Sequence, residues 1–403
     1  FAYGIYSSAP SVPTAAYSEI IIKDNYVGNI QTSAVAAYTG ILLVNNYYAQ
    51  IIGNKVEDVR TAIQLNNFNL ANPTPAFEPW IANNQIIASR GVYYNLFYQN
   101  ASPWKINGNN ISSASMVNGS AANFTGIRLE SLQNTFTGGG EIADNIIDGK
   151  NSVRVLENAA FDGTGIWFNN EITTSGVILV KNNTIGFVNN GILYNSTNAN
   201  LTNNVKYIGG NINNVVNNYV KYIATGTPSF SDINLITTQL DGKTGDQYTS
   251  TELANIYSDK IIDKDDNVLH GKVNLFFNVK NITQGTAFAT IQAAIDDAAT
   301  QNSDVIDVSN GTLNLSTAVK INKSITLQGN YNTLAAKPII TGVGNVTNKS
   351  LFEIDAPNVT VRNFEFQIAQ TGDALVGITT LTNDNFNNLT IADNTFKGMK
   401  AFD

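Results

Sequence analysis

The chain has 403 residues, 43% hydrophobic and only 13% charged, with a formal net charge of -8 and no cysteine. A charged share about half the usual ~25%, alongside 19 Phe and 17 Tyr, excludes intrinsic disorder, and the acidic balance excludes a nucleic-acid surface, which needs clustered Lys and Arg. The missing cysteine excludes a disulfide framework, a thiolate metal site and a Cys nucleophile, and no apolar run reaches the ~18 residues of a transmembrane helix.

Asn supplies roughly one residue in seven. It resists helix interiors and accepts turns and left-handed geometry, so an Asn-rich chain full of Ile and Val points to strands joined by many turns. The opening Phe1-Ala2-Tyr3-Gly4-Ile5-Tyr6 reads as strand without an initiator Met, which suggests a mature or excised segment.

From there one phrase recurs: an aliphatic residue, two or three polar positions including Asn, then another apolar residue. It spans Ile22 to Val27, Ile52 to Val56, Ile81 to Ile86, Ile106 to Ile111, Ile142 to Ile147, Val180 to Ile185 and, much later, Ile391 to Phe396. A second phrase interleaves with it, opening short alternating strands at Gly40-Ile41, Gly91-Val92, Gly126-Ile127, Gly165-Ile166 and Gly191-Ile192. Two or three short strands per repeat, separated by polar bends, describe coils stacked at the ~4.8 Å strand spacing. The aliphatics then stack inward, and Asn at each bend can form a ladder of side-chain amides while accepting the left-handed turn.

Between residues 227 and 284 the repeat stops. Thr249-Ser250-Thr251-Glu252 fits a capping box, and Leu253, Ile256 and Tyr257 follow at helical spacing, so a short helix is predicted there. A second amphipathic helix is predicted near Phe288 to Ala298, with Ile291, Ala294, Ile295 and Ala298 on one face, placed to cover an open coil end. Alternating strands resume at Val305 to Val308, Val319 to Ile321, Ile325 to Leu327 and Val359 to Val361. The last Asn phrase runs out near Asp403 with no visible cap, so a continuation is expected.

The Asn bends, the Gly-aliphatic strand starts and the long Ile/Val alternation resemble the right-handed parallel β-helix repeats of the pectate-lyase-like superfamily, over roughly residues 1–225 and 285–403. The resemblance implies an all-β fold, a right-handed parallel β-helix solenoid with two coils in tandem and a short helical connector or cap. The expected divisions are 1–226, 227–284 and 285–403. That fold carries lyases, hydrolases, phage tailspikes, adhesins and surface-layer proteins, so the resemblance implies an architecture and an extracellular, bacterial cell-surface location rather than a chemistry.

Hydrolases of that superfamily carry paired Asp residues and a Gly-His-Gly string; here Asp-Asp occurs only at 265–266 and 296–297, outside the repeats, and the lone His270 lies in the connector. Ca²⁺-dependent lyases need clustered carboxylates beside an Arg base, whereas the five arginines are sparse and the acidic residues scattered, with Glu130 beside Asp148 the one expected approach. Asp263, Asp265 and Asn267 have the odd spacing of a Ca²⁺ loop, but Val268 stands where Gly is needed and no Glu closes it, so a solvated turn is favoured and Ca²⁺ is only a weak candidate. Gly242-Lys243-Thr244 mimics the end of a phosphate-binding loop but lacks its first Gly and reads as a turn. Aromatics including Tyr93, Tyr94, Trp104 and Trp167 could form a sugar-stacking strip, with Tyr93, Tyr94 and Trp104 the carbohydrate-contact candidates, although stacking inside the coil is favoured.

The expected function is a noncatalytic structural or adhesive surface protein, a surface-layer, filament or adhesin subunit that self-associates into a lattice or filament or contacts surface polysaccharide. No catalytic residues and no resident cofactor are expected. The alternatives are a polysaccharide lyase or hydrolase on the same scaffold, and a phage tail fibre or other viral surface protein.

Overall fold

The computed structural model describes residues 2–8, 18–28, 38–44, 47–67, 78–96, 103–113, 124–130, 139–150, 163–169, 177–196, 205–224, 233–262, 273–276, 278–288, 290–309, 311–329, 337–342, 350–367, 376–381 and 387–398. It is all-β with mostly parallel sheets, an arrangement compatible with a solenoid. The chain divides into two compact units, Phe1–Asn274 and Leu275–Asp403.

In the first unit the strands pair in parallel with their equivalents in neighbouring repeats. Ser18–Lys23, Tyr47–Ile52, Trp80–Ala82, Trp104–Asn107, Gly140–Ala143, Ile178–Lys181 and Val205–Ile208 form one seven-stranded parallel sheet. A larger sheet of 15 strands carries most of the rest, including the 13-residue strand Lys55–Asn67, which bends at a register shift between Glu57 and Val59 where Asp58 has φ 56°, and Ile233–Asn234 and Val273–Asn274 form a separate parallel pair. Alternation fixes what each face holds. Ile22, Ile51, Ile81, Ile106, Ile142, Val180 and Tyr207 are successive register partners and all are buried. So are Leu43, Leu65, Tyr94, Leu129, Phe168, Tyr194 and Tyr222, with Phe168 and Tyr194 stacked at 4.8 Å.

The Gly-aliphatic phrase has a packing reason. Gly126 sits so close to the next repeat that a Cβ there would lie 2.3 Å from Ile147 Cγ2 and 2.7 Å from the Gly165 carbonyl oxygen. Gly140 likewise makes room for the indole of Trp104, its register partner, whose ring atoms would lie as near as 2.2 Å from an added Cβ.

The Asn phrases are buried ladders. Asp24, Gly53, Asn83, Gly108, Asp144 and Asn182 adopt positive φ between 52° and 67°, and each is followed by the laddered residue, Asn25, Asn54, Asn84, Asn109, Asn145 and Asn183. Along the run each Asn donates from its backbone N–H and its Nδ2 to the Oδ1 of the next, at 2.8 to 3.1 Å. The second Nδ2 proton goes to a main-chain carbonyl of the preceding repeat, as Asn84 to Ile51 at 2.8 Å and Asn109 to Ile81 at 2.9 Å. In the following repeat Gly210 stands next to Asn183 and the ladder stops, while Gly209 keeps the left-handed turn at φ 62°.

Stacking continues past residue 226. Gln239–Leu240 pairs with the strand Asn211–Asn213, and Ile261–Ile262 with Asn218–Ala224, both parallel. Between them lies helix α1, Ser250–Lys260, whose predicted capping box is present: Thr249 Oγ1 accepts from the Glu252 N–H at 3.2 Å and Glu252 Oε2 accepts from the Thr249 N–H at 2.7 Å. Gly242-Lys243-Thr244 follows a turn in which Asp241 and Gly242 both have positive φ, and no phosphate loop forms there.

The second unit opens with antiparallel strands Val279–Asn281 and Thr286–Phe288, then helix α2, Ile291–Asp296, capped by Thr290. Ile291, Ala294 and Ile295 are buried in its core as predicted; the helix ends before Ala298. Three parallel sheets then run in step, two of them ending at Thr390–Ala392 and Thr395–Lys397 and the third at Val376–Thr380. Here Asn394 accepts from the Phe364 N–H at 2.9 Å and donates to the Val361 carbonyl at 2.9 Å, repeating the ladder geometry for a single step.

Candidate functional site: an arginine and aromatic column

Gln64, Tyr93, Arg128 and Trp167 are successive register partners, the last three each on a strand that carries the Gly-aliphatic phrase. Their sequence neighbours Ile63 and Leu65, Val92 and Tyr94, Ile127 and Leu129, and Ile166 and Phe168 are buried, so alternation turns the column to the opposite face. The Arg128 guanidinium carbon lies 4.3 Å from the Trp167 ring centroid and 5.0 Å from that of Tyr93, a cation between two π faces. Arg128 Nη2 meets Glu130 Oε2 at 2.7 Å, and the same oxygen accepts the Tyr93 hydroxyl at 2.5 Å.

Two further arginines come near. Arg90, on the strand of Tyr93, has Thr61 and Thr125 as register partners, and Arg60 precedes Thr61. Arg90 is half-buried, and its guanidinium pKa is drawn down first by burial and then by Arg60 and Arg128, with Tyr93 and Glu130 opposing. The Tyr93 phenol is pushed up, by burial first and then by the Glu130 carboxylate that accepts its proton, so it serves as a donor at ordinary pH. Arg128 Nε and Trp167 Nε1 are buried donors with no hydrogen-bond partner among the described residues. The arrangement offers positive charge, unspent donors and two aromatic rings in one place.

The sugar-contact expectation is corrected for two of its three residues. Tyr94 and Trp104 are each 1% exposed, 5.5 Å apart ring to ring, and belong to the core. Tyr93 faces the other way and joins Trp167 in the column. Glu130 and Asp148 do not approach as neighbours: Glu130 pairs with Asn95 and Asn169, Asp148 with Ser112 and Gly186. Asp263, Asp265, Asn267, His270 and the Asp265-Asp266 pair lie outside the described residues. Asp296 closes α2, where Gln292 Nε2 donates to it at 2.9 Å. Among the described residues no group of three or more His, Asp or Glu is placed to hold a metal ion.

The arginine cluster is absent from the sequence-level candidates, yet a signal for it exists. Tyr93, Arg128 and Trp167 each stand two residues after the Gly of the second phrase, so aligning Gly91, Gly126 and Gly165 brings them into one column. No protein-family model matches the chain, and no curated protein matches it.

Proposed function

We propose that the chain is a noncatalytic surface scaffold: a right-handed parallel β-helix of the pectate-lyase-like type, extracellular on a bacterium, serving in a surface layer, a filament or an adhesin. The observation that carries this reading is the continuous Asn ladder from Asn25 to Asn183, which spends its polar groups on holding successive repeats in register. Side chains committed to main-chain and neighbouring amides rigidify a rod and take no part in chemistry. The separation of Glu130 from Asp148 further favours a scaffold over a polysaccharide lyase or hydrolase, which needs carboxylates converging on one face.

Two assays on the purified chain test it together. Electron microscopy is expected to show ordered sheets or filaments, and incubation with acidic and neutral polysaccharides, with and without Ca²⁺, no new reducing or unsaturated ends. Turnover by dispersed monomers supports the enzyme alternative, and isolated trimers of parallel coils the tail-fibre alternative.

A further inference from the structure

We propose that Asn358 is an N-glycosylation site whose side-chain amide carries a glycan on the surface of the second unit, a modification that rests on the extracellular location proposed above.

Acceptor triplets, in which Asn is followed two residues later by Ser or Thr, begin at eight of the 17 asparagines in residues 275–403. Ser and Thr fill about one position in six there, so random placement would give about three. Residues 1–274 are built on the same alternation of inward and outward positions, yet seven of their 42 asparagines begin a triplet, about the chance number. Neither the abundance of Asn nor the strand pattern therefore accounts for the excess in the second unit.

The structure sorts the eight. Asn310, Asn345 and Asn348 lie outside the described residues, and Asn281 is fully buried with its Nδ2 donating to Thr300 and Asp304. Asn314, Asn322, Asn358 and Asn388 are exposed. Asn358 has the amide best placed for modification. It turns the chain at φ 54°, two residues before the strand Thr360–Arg362 begins. Asn388 Nδ2 donates to Asn358 Oδ1 at 2.8 Å, which ties the oxygen to the next repeat and leaves Asn358 Nδ2 without a hydrogen bond among the described residues. Val359 is buried while Thr360 is half-buried, so the two recognised groups of the triplet reach the surface and the residue between them anchors the bend.

The donor is a sugar held on a lipid pyrophosphate. Asn358 Nδ2 attacks its anomeric carbon; the N–C bond forms, the C–O bond to the pyrophosphate breaks, and the amide proton passes to a base of the transferase. The product is bulky and solubilising, which suits an exposed bend. It would not fit the buried ladder, and none of the six laddered asparagines begins a triplet.

The test is mass spectrometry of the protein purified from the cell that makes it. Trypsin releases Ser350–Arg362, in which Asn358 is the single Asn, and fragmentation of this peptide is expected to place a glycan on that residue. Expressed in the same cell, Thr360→Ala is expected to abolish the glycan and Thr360→Ser to retain it, since the hydroxyl is the recognised group. Recovery of the peptide in unmodified form alone, a glycan on Ser350 or Thr360 instead, or a glycan on Asn358 that survives Thr360→Ala overturns the proposal. The two readings fail separately: an unmodified peptide from protein at the cell surface removes this site alone, and an unmodified peptide from protein retained in the cytoplasm removes the extracellular reading as well.

Discussion

The side-chain oxygen of Asn109 accepts two hydrogen bonds from Asn84, from its main-chain N–H at 3.0 Å and from its Nδ2 at 2.9 Å, while Asn109 repeats both donations to Asn145. Both residues are 1% exposed, so water cannot replace a lost partner. Asn109→Ala strands two buried donors on Asn84 and an acceptor on Ile81, and is expected to destabilise the first unit by about 3 kcal/mol or more. At the exposed end of the ladder Asn25→Ala should change stability by less than about 1 kcal/mol. Urea midpoints of the two variants check the contrast, and equal shifts would mean that the ladder is ornamental.

Gly140→Ala drives a methyl into the Trp104 indole, and Gly126→Ala drives one into Ile147 and the Gly165 carbonyl. Each is expected to cost about 1–3 kcal/mol. Pairing Gly140→Ala with Trp104→Leu makes room, so the double variant should be more stable than the sum of the single losses requires. Thermal melting of the four proteins measures this coupling, and strict additivity contradicts it.

Arg128→Ala removes the cation that meets the buried Glu130 carboxylate at 2.7 Å, and removes the stack from Tyr93 and Trp167. The expected loss is roughly 3 kcal/mol, and Tyr93→Phe, which removes one hydrogen bond, about 1 kcal/mol. Chemical denaturation ranks them; a larger loss for Tyr93→Phe would show that the ring pair does not depend on the cation.

Tyr93, Tyr194, Tyr207, Tyr219 and Tyr222 all have phenol pKa values raised chiefly by burial. A raised pKa in the folded state means that the folded chain holds these protons more tightly than the unfolded chain does. The stability so gained is fully present below pH 10, the ordinary phenol value, and is lost as pH rises above it. Phenolate absorbance of these residues is expected to emerge together with the loss of circular dichroism in alkali. Their titration at the ordinary value in a still folded chain would contradict the buried assignment.

Much of this was readable from the residues, for reasons visible in particular places. Every laddered Asn falls within a recurring phrase, because the bend demands a left-handed residue before it and an aliphatic on either side. The repeat at Gly209-Gly210 escaped because Gly satisfies the turn without an amide. Tyr94 and Trp104 show what alternation alone leaves open, since a register change of one residue exchanges the two faces. Arg60, Arg90 and Arg128 were harder. Successive ladder residues are separated by 25 to 38 positions, so no fixed period brings the arginines together before the pairing is known. The bend at Asp58 shifts the register again.

The most direct measurement is cryo-electron tomography of the protein on the surface of the cell that makes it. The account predicts rods with a ~4.8 Å axial repeat, packed side by side in a regular lattice or bundle. Dispersed molecules with no common orientation, releasing fragments of the surrounding polysaccharide, would contradict it.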